Sequence, residues 1–407
     1  MNDRINRIVF FLCLIMIPAI LYSKALITII YILLALTAIS SLIIHRRIES
    51  SRMIILLPFT LVFLATVMSG CNSSDHDQWI HHVVIKLPFF IVPIAFIAPI
   101  QVSFRQVIDF HIWLILIFAI AVVPVSIHAI LHHTDMQQLI AVGQAIPTPI
   151  EHVKYSMFNA YAAISGIALL RYYSNRLAPP ARILIWVCTS LLILALHFLS
   201  VRTGLLIFYV SVIYLLAYEI AKYRRLWTAL RVVIGIGMLS VVSYLLMPSL
   251  QTKMAYMFYD WQMLLSGEGN HYSDSERIFS YQMALDLIKD QPIFGTGMGD
   301  LRQSSVDYYR SHDRGDYFNY PHSQWLYILS GMGMVGFSIF MLGLYIPLVY
   351  ASASLFLQLL YLNYTLSFFV ENSFERSISV AFFIIISNII LSASSINKKG
   401  SLYLTPK

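Results

Sequence analysis

The chain predicts an all-α integral membrane protein with about twelve transmembrane helices and one long external loop. Three observations point that way. Hydrophobic residues make up 58% of the 407, charged residues only 12%, and the mean hydropathy is +0.73. A soluble domain usually carries about a quarter charged residues. The charges fall between apolar runs of roughly 17–22 residues, the helix length that crosses a hydrocarbon core of about 30 Å. These runs do not alternate polar with apolar positions, as the strands of a membrane barrel would.

In chain order, the basic tail Met1–Arg7 leads into span 1, Ile8–Tyr22. This run reads as a retained span rather than a secretory leader, because no small-residue cleavage site follows it. A turn at Ser23-Lys24 gives span 2, Ala25–Ile44, and the arginine-rich His45–Arg52 reads as cytoplasmic. Span 3 is Met53–Ser69. The loop Gly70–Trp79 carries Asp75 and Asp77 but no lysine or arginine, and reads as external. Span 4, Ile80–Ile100, contains Lys86, Pro88 and Pro93, and a short loop with Arg105 precedes span 5, Ile108–His128.

Ala129–Val153 is only moderately apolar and reads as external, partly lying at the interface. Span 6 is Lys154–Leu170. The link Arg171–Arg182 holds Pro179-Pro180 and three arginines, and reads as cytoplasmic. Spans 7 and 8, Ile183–Ser200 and Gly204–Ala221, meet at the tight external turn Val201-Arg202-Thr203. Basic Lys222–Arg231 precedes span 9, Val232–Met247. The loop Pro248–Pro321 lies outside, followed by span 10 (about His322–Tyr345), span 11 (Leu355–Val370), span 12 (Ile378–Ser394) and a tail with Lys398 and Lys399. The chain thus divides into spans 1–9 (1–247), the large external loop (248–321), and spans 10–12 with the tail (322–407).

Both termini lie inside in this reading. The short loops and tails assigned to that side hold 16 of the 27 Lys+Arg, as positive-inside bias requires. The same bias accounts for much of the net charge of +7, which in a soluble protein would suggest nucleic acid. Cys13, Cys71 and Cys188 are scattered, with neither disulfide nor zinc spacing.

The long loop is structured. Ser275–Lys289 mixes Ile278, Met283, Leu285 and Ile288 with polar residues and reads as an amphipathic helix with Ser273 or Asp274 near its N-cap. Gln291–Gly299 ends it in a glycine-rich turn. Tyr308, Tyr309, Tyr317, Phe318 and Tyr320 are expected to dip into the interface as an aromatic belt.

Candidate chemistry gathers where this loop meets span 10. His322 stands at the water–lipid boundary, ahead of a helix carrying Gly331, Gly333 and Gly336 that would let a substrate approach closely. It reads either as an interfacial histidine facing water or as a general base, for which an ordinary imidazole pKa of about 6.5 is well placed. Arg202 sits in a turn too short for much snorkelling, and a guanidinium is a planar, bidentate phosphate donor. Arg277 near the start of the loop helix reads as a phosphate ligand or as part of a solvated face beside Asp274 and Glu276. Lys154, at the head of span 6, either anchors the helix or adds positive charge to a phosphate site, and Lys86 is a weaker candidate of the same kind. Asp75, His76 and Asp77 are weak evidence for a metal, as is His132-His133. Gly295–Gly299 lacks the strand–helix setting of a dinucleotide motif.

At these residues the chain resembles the O-antigen ligase family, whose superfamily includes the O-antigen polymerases. The family motif is His, then Asn/Ser/Gln, nine residues, then Gly-x-x-Gly. Here His322-Ser323 is followed by the nine residues Gln324–Met332 and then Gly333-Met334-Val335-Gly336. Phe337-Ser338 stand where some members have threonines. Arg202-Thr203 resembles the family's arginine at the external end of a span. Arg277, followed by Pro292–Gly297, resembles its long-loop arginine and Pro-x-x-Gly-x-Gly turn. The likeness covers the twelve-span layout and the placement of the long loop.

The resemblance implies a GT-C-type, inverting, metal-independent glycosyltransferase without a cofactor, multi-pass in a bacterial inner membrane, with its active site facing the periplasm. The donor would be a glycan on undecaprenyl pyrophosphate and the acceptor a hydroxyl of a lipid A-core sugar. Arg202 and Arg277 would hold the pyrophosphate, with Lys154, Ser323 and Gln324 as further donor contacts. His322 would take the acceptor proton. A polymerase with a lipid-linked acceptor and a protein O-oligosaccharyltransferase remain alternatives. A lipid-linked glycan transporter is disfavoured, because no internal repeat is visible and acidic residues within spans are scarce.

Overall fold

The computed structural model describes residues 2–45, 53, 56–97, 102–141, 144–224, 226–246, 248–266, 273–315, 318–351 and 354–393. The first helices are α1 (Asn2–Tyr22), α2 (Lys24–His45), α3 (Pro58–Met68), α4 (His76–Lys86), α5 (Pro88–Ile97) and α6 (Phe104–Leu131). Then come α7 (His133–Ala141), α8 (His152–Tyr172), α9 (Pro179–Leu199), α10 (Arg202–Tyr223), α11 (Leu226–Leu246) and α12 (Pro248–Ser266). The last are α13 (Ser273–Asp290), α14 (Leu301–Ser311), α15 (Gln324–Tyr350), α16 (Leu355–Phe368) and α17 (Ser377–Ser392). Most of His45–Arg52, together with Arg225, Tyr317, Lys398 and Lys399, lies outside the described residues.

The protein is a multi-pass, helical membrane protein. Among the described residues seven helices are long and apolar enough to cross a bilayer, or eight if the bent pair Val233–Leu245 and Leu250–Met263 is one span. The expected count was about twelve; three further apolar segments, Pro58–Asn72, Leu355–Phe368 and Ser377–Ser392, are shorter than that length. Helices α16 and α17 have 14 and 16 residues, or about 21 and 24 Å at 1.5 Å per residue. The apolar side chains of α17 are buried along its whole length, so they face protein rather than lipid. Helix α8 is long enough, but Lys154, Ser156, Asn159 and Ser165 lower its hydropathy. It too is enclosed by protein.

Two compact units are distinguishable. They divide the chain differently from the three-part reading of the sequence. Unit 1 is Met1–Phe110 with Glu276–Lys407, and unit 2 is His111–Ser275. In unit 1, α15 packs on α3, and α5 on α2, α3 and α17. In unit 2, α8 is central and packs on α9 and α10. Small residues allow this approach: Gly166 of α8 faces Thr189 of α9, and Gly204 of α10 faces Ser156 of α8.

The loop helix foreseen at Ser275–Lys289 is α13. The long loop opens, however, with a further helix, α12, whose mixed aromatic and polar residues show no clear period. Asp75 is the N-cap of α4, accepting the Gln78 N–H at 3.0 Å, so the fourth apolar helix starts inside the presumed external loop. The aromatic belt is also corrected in part. Tyr309 is fully buried, edge-on to Phe279 of α13 with ring centroids 4.8 Å apart.

Candidate active site

In unit 1, His322 sits in the short link before α15, and its backbone is held by α13. The His322 N–H donates to Ser280 Oγ at 3.3 Å. The Tyr281 hydroxyl lies 3.0 Å from the His322 carbonyl and 3.1 Å from that of Phe369, so its one proton is shared between them. Arg277 precedes Tyr281 by one turn, which places both on the same face of α13. The structure therefore brings the helix bearing Arg277 to the histidine. Neither Ser280 nor Tyr281 stands out in the sequence.

The next two residues are also tied down. Ser323 Oγ donates to the Phe368 carbonyl at 3.0 Å instead of capping α15. Gln324 is fully buried; its Oε1 accepts the Phe374 N–H at 2.7 Å and its Nε2 donates to Glu375 Oε1 at 2.9 Å. These bonds hold Ser323 and Gln324 in place beside His322.

Gln324 leads to a buried charge cluster. Lys86 Nζ, fully buried, donates to Glu375 Oε1 at 2.7 Å and to the Phe374 carbonyl at 2.8 Å. His82 Nδ1 lies 3.2 Å from Glu375 Oε2. Burial alone would raise the Glu375 pKa, but the Lys86 ammonium and the bond to His82 outweigh it and bring it down to about 2. Lys86 is thus an ion-pair partner inside the protein. Glu375 and His82 gave no sequence signal, because an acidic residue in a short connection reads as a solvated charge.

The glycines serve the backbone. Helix α15 is broken at Gly333 (φ 62°), and the turn after α13 fills the break. Thr296 and Gly297 N–H donate to the Ser330 and Gly331 carbonyls at 2.9 and 3.0 Å. Met334 and Val335 N–H donate to Pro292 and Ile293 at 2.9 and 3.1 Å. A Cβ on Gly295 (φ 69°) would lie 2.6 Å from the Gly333 nitrogen. Close approach at these glycines is therefore made by the loop backbone, where the sequence suggested a substrate. Beside the turn lies an apolar cleft of about 340 Å³ lined by Met68, Cys71, Phe294, Met332, Val335 and Ile339.

In unit 2, Arg202 begins α10 just after Ser200, whose left-handed φ of 50° ends α9. Its guanidinium makes a two-pronged pair with Asp274, Nη1 to Oδ2 at 2.6 Å and Nη2 to Oδ1 at 2.9 Å. Lys253 Nζ donates to the Leu199 and Ser200 carbonyls at 2.6 and 3.2 Å, adding a second cation at this turn. Lys154 is buried and pairs with Glu151 at 3.0 Å.

The family model described as O-antigen ligase matches residues 187–341. That stretch contains Arg202, Arg277, His322 and the Gly333–Gly336 motif. Over that stretch the chain is similar to the O-antigen ligase family. A comparison with curated proteins returns no match. The members of this family are glycosyltransferase-like enzymes of the O-antigen ligase and polymerase superfamily, acting on lipid-linked glycans and acceptors. Lys154 and the Lys86–Glu375 cluster lie outside the matched stretch.

Proposed function

We propose that the protein is an O-antigen ligase that transfers a glycan from undecaprenyl pyrophosphate to a lipid A-core sugar hydroxyl. The reaction takes place at the periplasmic face of a bacterial inner membrane, on a GT-C-type scaffold of about twelve membrane segments. The observation that carries this reading is that the stretch matched by the family model contains Arg202, Arg277 and His322 in its sequence. The bonds from Ser280 and Tyr281 to the His322 backbone support it, because a base works only when held in reach of its proton.

In the proposed step the acceptor oxygen attacks the anomeric carbon and gives its proton to His322. The bond from that carbon to the pyrophosphate oxygen breaks with inversion, and undecaprenyl pyrophosphate leaves. Arg202 and Arg277 hold the pyrophosphate and stabilise the charge growing on it. Lys154 adds to the local positive charge, Ser323 and Gln324 position the histidine, and no metal or cofactor takes part. The apolar cleft beside the glycine turn offers a bed for hydrocarbon.

The test is transfer by purified protein in lipid, with undecaprenyl-pyrophosphate glycan, lipid A-core and a chelator. Glycosylated lipid A-core that is absent with His322→Ala is the expected result. Longer glycans on the lipid carrier alone would reassign the chain as a polymerase. The absence of both products would overturn the enzyme reading.

A further inference from the structure

The Arg202–Asp274 pair has the geometry of an occupied anion site. A guanidinium fork with both prongs engaged is the arrangement arginine uses for carboxylates and phosphates alike. Here the anion is an internal carboxylate, and both residues belong to unit 2. The Arg202 side chain is 44% exposed and that of Asp274 only 15%. The arginine side chain is thus partly open to solvent.

The start of α13 is held by another carboxylate, that of Asp260, which is fully buried. Its Oδ2 accepts the Asp274 N–H at 2.8 Å and its Oδ1 accepts the Ser275 hydroxyl at 3.0 Å. The Asp274 carboxylate is directed at Arg202. Lys253, bound to the carbonyls of Leu199 and Ser200, lies next to the same turn. Two cations therefore stand at the end of α9, and the half-exposed ion pair that Arg202 makes with Asp274 is weakly held.

We propose that Asp274 is a stand-in for the donor's pyrophosphate. It holds the Arg202 guanidinium in its phosphate-binding orientation while the site is empty, and the pyrophosphate displaces it on binding. This rests on the functional reading above and adds a residue that opposes donor binding. A pyrophosphate brings more negative charge than one carboxylate and can engage the fork and Lys253 together. The exchange is therefore favourable, but it is reduced by the cost of releasing Asp274. Keeping the fork aligned avoids an ordering cost that a free arginine would incur on each binding event.

The experiment measures binding of farnesyl pyrophosphate to full-length protein in lipid nanodiscs. It compares wild type, Asp274→Asn, Asp274→Ser, Arg202→Ala and the Arg202→Ala/Asp274→Asn double variant. Removing the competing charge should tighten binding about fivefold, the upper range for breaking an exposed pair. That gain should vanish in the Arg202→Ala background. Serine, a good residue for a helix start, guards against a folding defect in the asparagine variant. Equal or weaker binding by both Asp274 variants, with wild type still binding and Arg202→Ala not, overturns the stand-in and leaves the functional reading intact. Absence of binding by every form, together with absence of glycan transfer, overturns both.

Discussion

Replacing Glu375 by alanine leaves the Lys86 ammonium buried without its carboxylate partner. Lys86 is fully buried, and its two acceptors are Glu375 Oε1 and the Phe374 carbonyl. Breaking one side of a buried pair costs about 3–5 kcal/mol. The pKa of Glu375 leads to a similar figure. Its carboxyl titrates at about 2 against an ordinary value of 4.5, a difference worth about 3 kcal/mol. A depressed carboxylate pKa stabilises above the unfolded value, so this contribution is complete above about pH 4.5 and is lost as pH falls towards 2. Thermal unfolding followed by tryptophan fluorescence should show Glu375→Ala melting about 5 °C below wild type. The Lys86→Met/Glu375→Leu double variant should recover most of that loss, because a well-packed apolar pair is close to neutral. The double variant still lacks the carboxylate that holds Gln324, so its transfer activity should stay low while its stability returns. A Glu375→Ala protein that melts within about one degree of wild type would refute this account of the cluster.

Three further outcomes follow from the site. Gly333→Ala should prevent folding of the turn, since its φ of 62° and the adjoining Ile293 and Gly295 backbone exclude a Cβ. Gly336→Ala lacks the backbone penalty but would press its Cβ against the Met332 Cβ, so it should lower the yield of monodisperse protein less than Gly333→Ala does. Tyr281→Phe removes the hydroxyl shared by His322 and Phe369; stability should fall by about 1 kcal/mol, with a lower kcat at nearly unchanged KM in the transfer assay. His322→Ala should lower kcat by about 10²–10⁴-fold, whereas a loss confined to KM would remove it from the role of base.

Much of this was legible in the sequence for local reasons. The all-helical membrane class follows from apolar runs separated by basic loops. Helix α13 follows from its amphipathic pattern and a Ser-Asp start, and the order of Arg202, Arg277 and His322 with Gly333–Gly336 pointed to the family. Those signals depend on composition and on spacing along the chain, which any reader of the chain can measure.

Other features depended on contacts between distant residues. Hydropathy cannot distinguish a helix facing lipid from one enclosed by protein, so the sequence did not separate α16, α17 and the more polar α8 from the lipid-facing helices. Glu375 acquires its role only from Lys86 and His82, almost three hundred positions away. Tyr281 acquires its role from His322, and Gly295 from Gly333. The sequence by itself determined the class of the protein and the residue types available for chemistry. Tertiary structure decided which charges are paired inside, which hydroxyls hold the histidine and why the glycines are needed. A hydrogen bond or ion pair requires distance and orientation in space, and spacing along the chain encodes neither across a long separation.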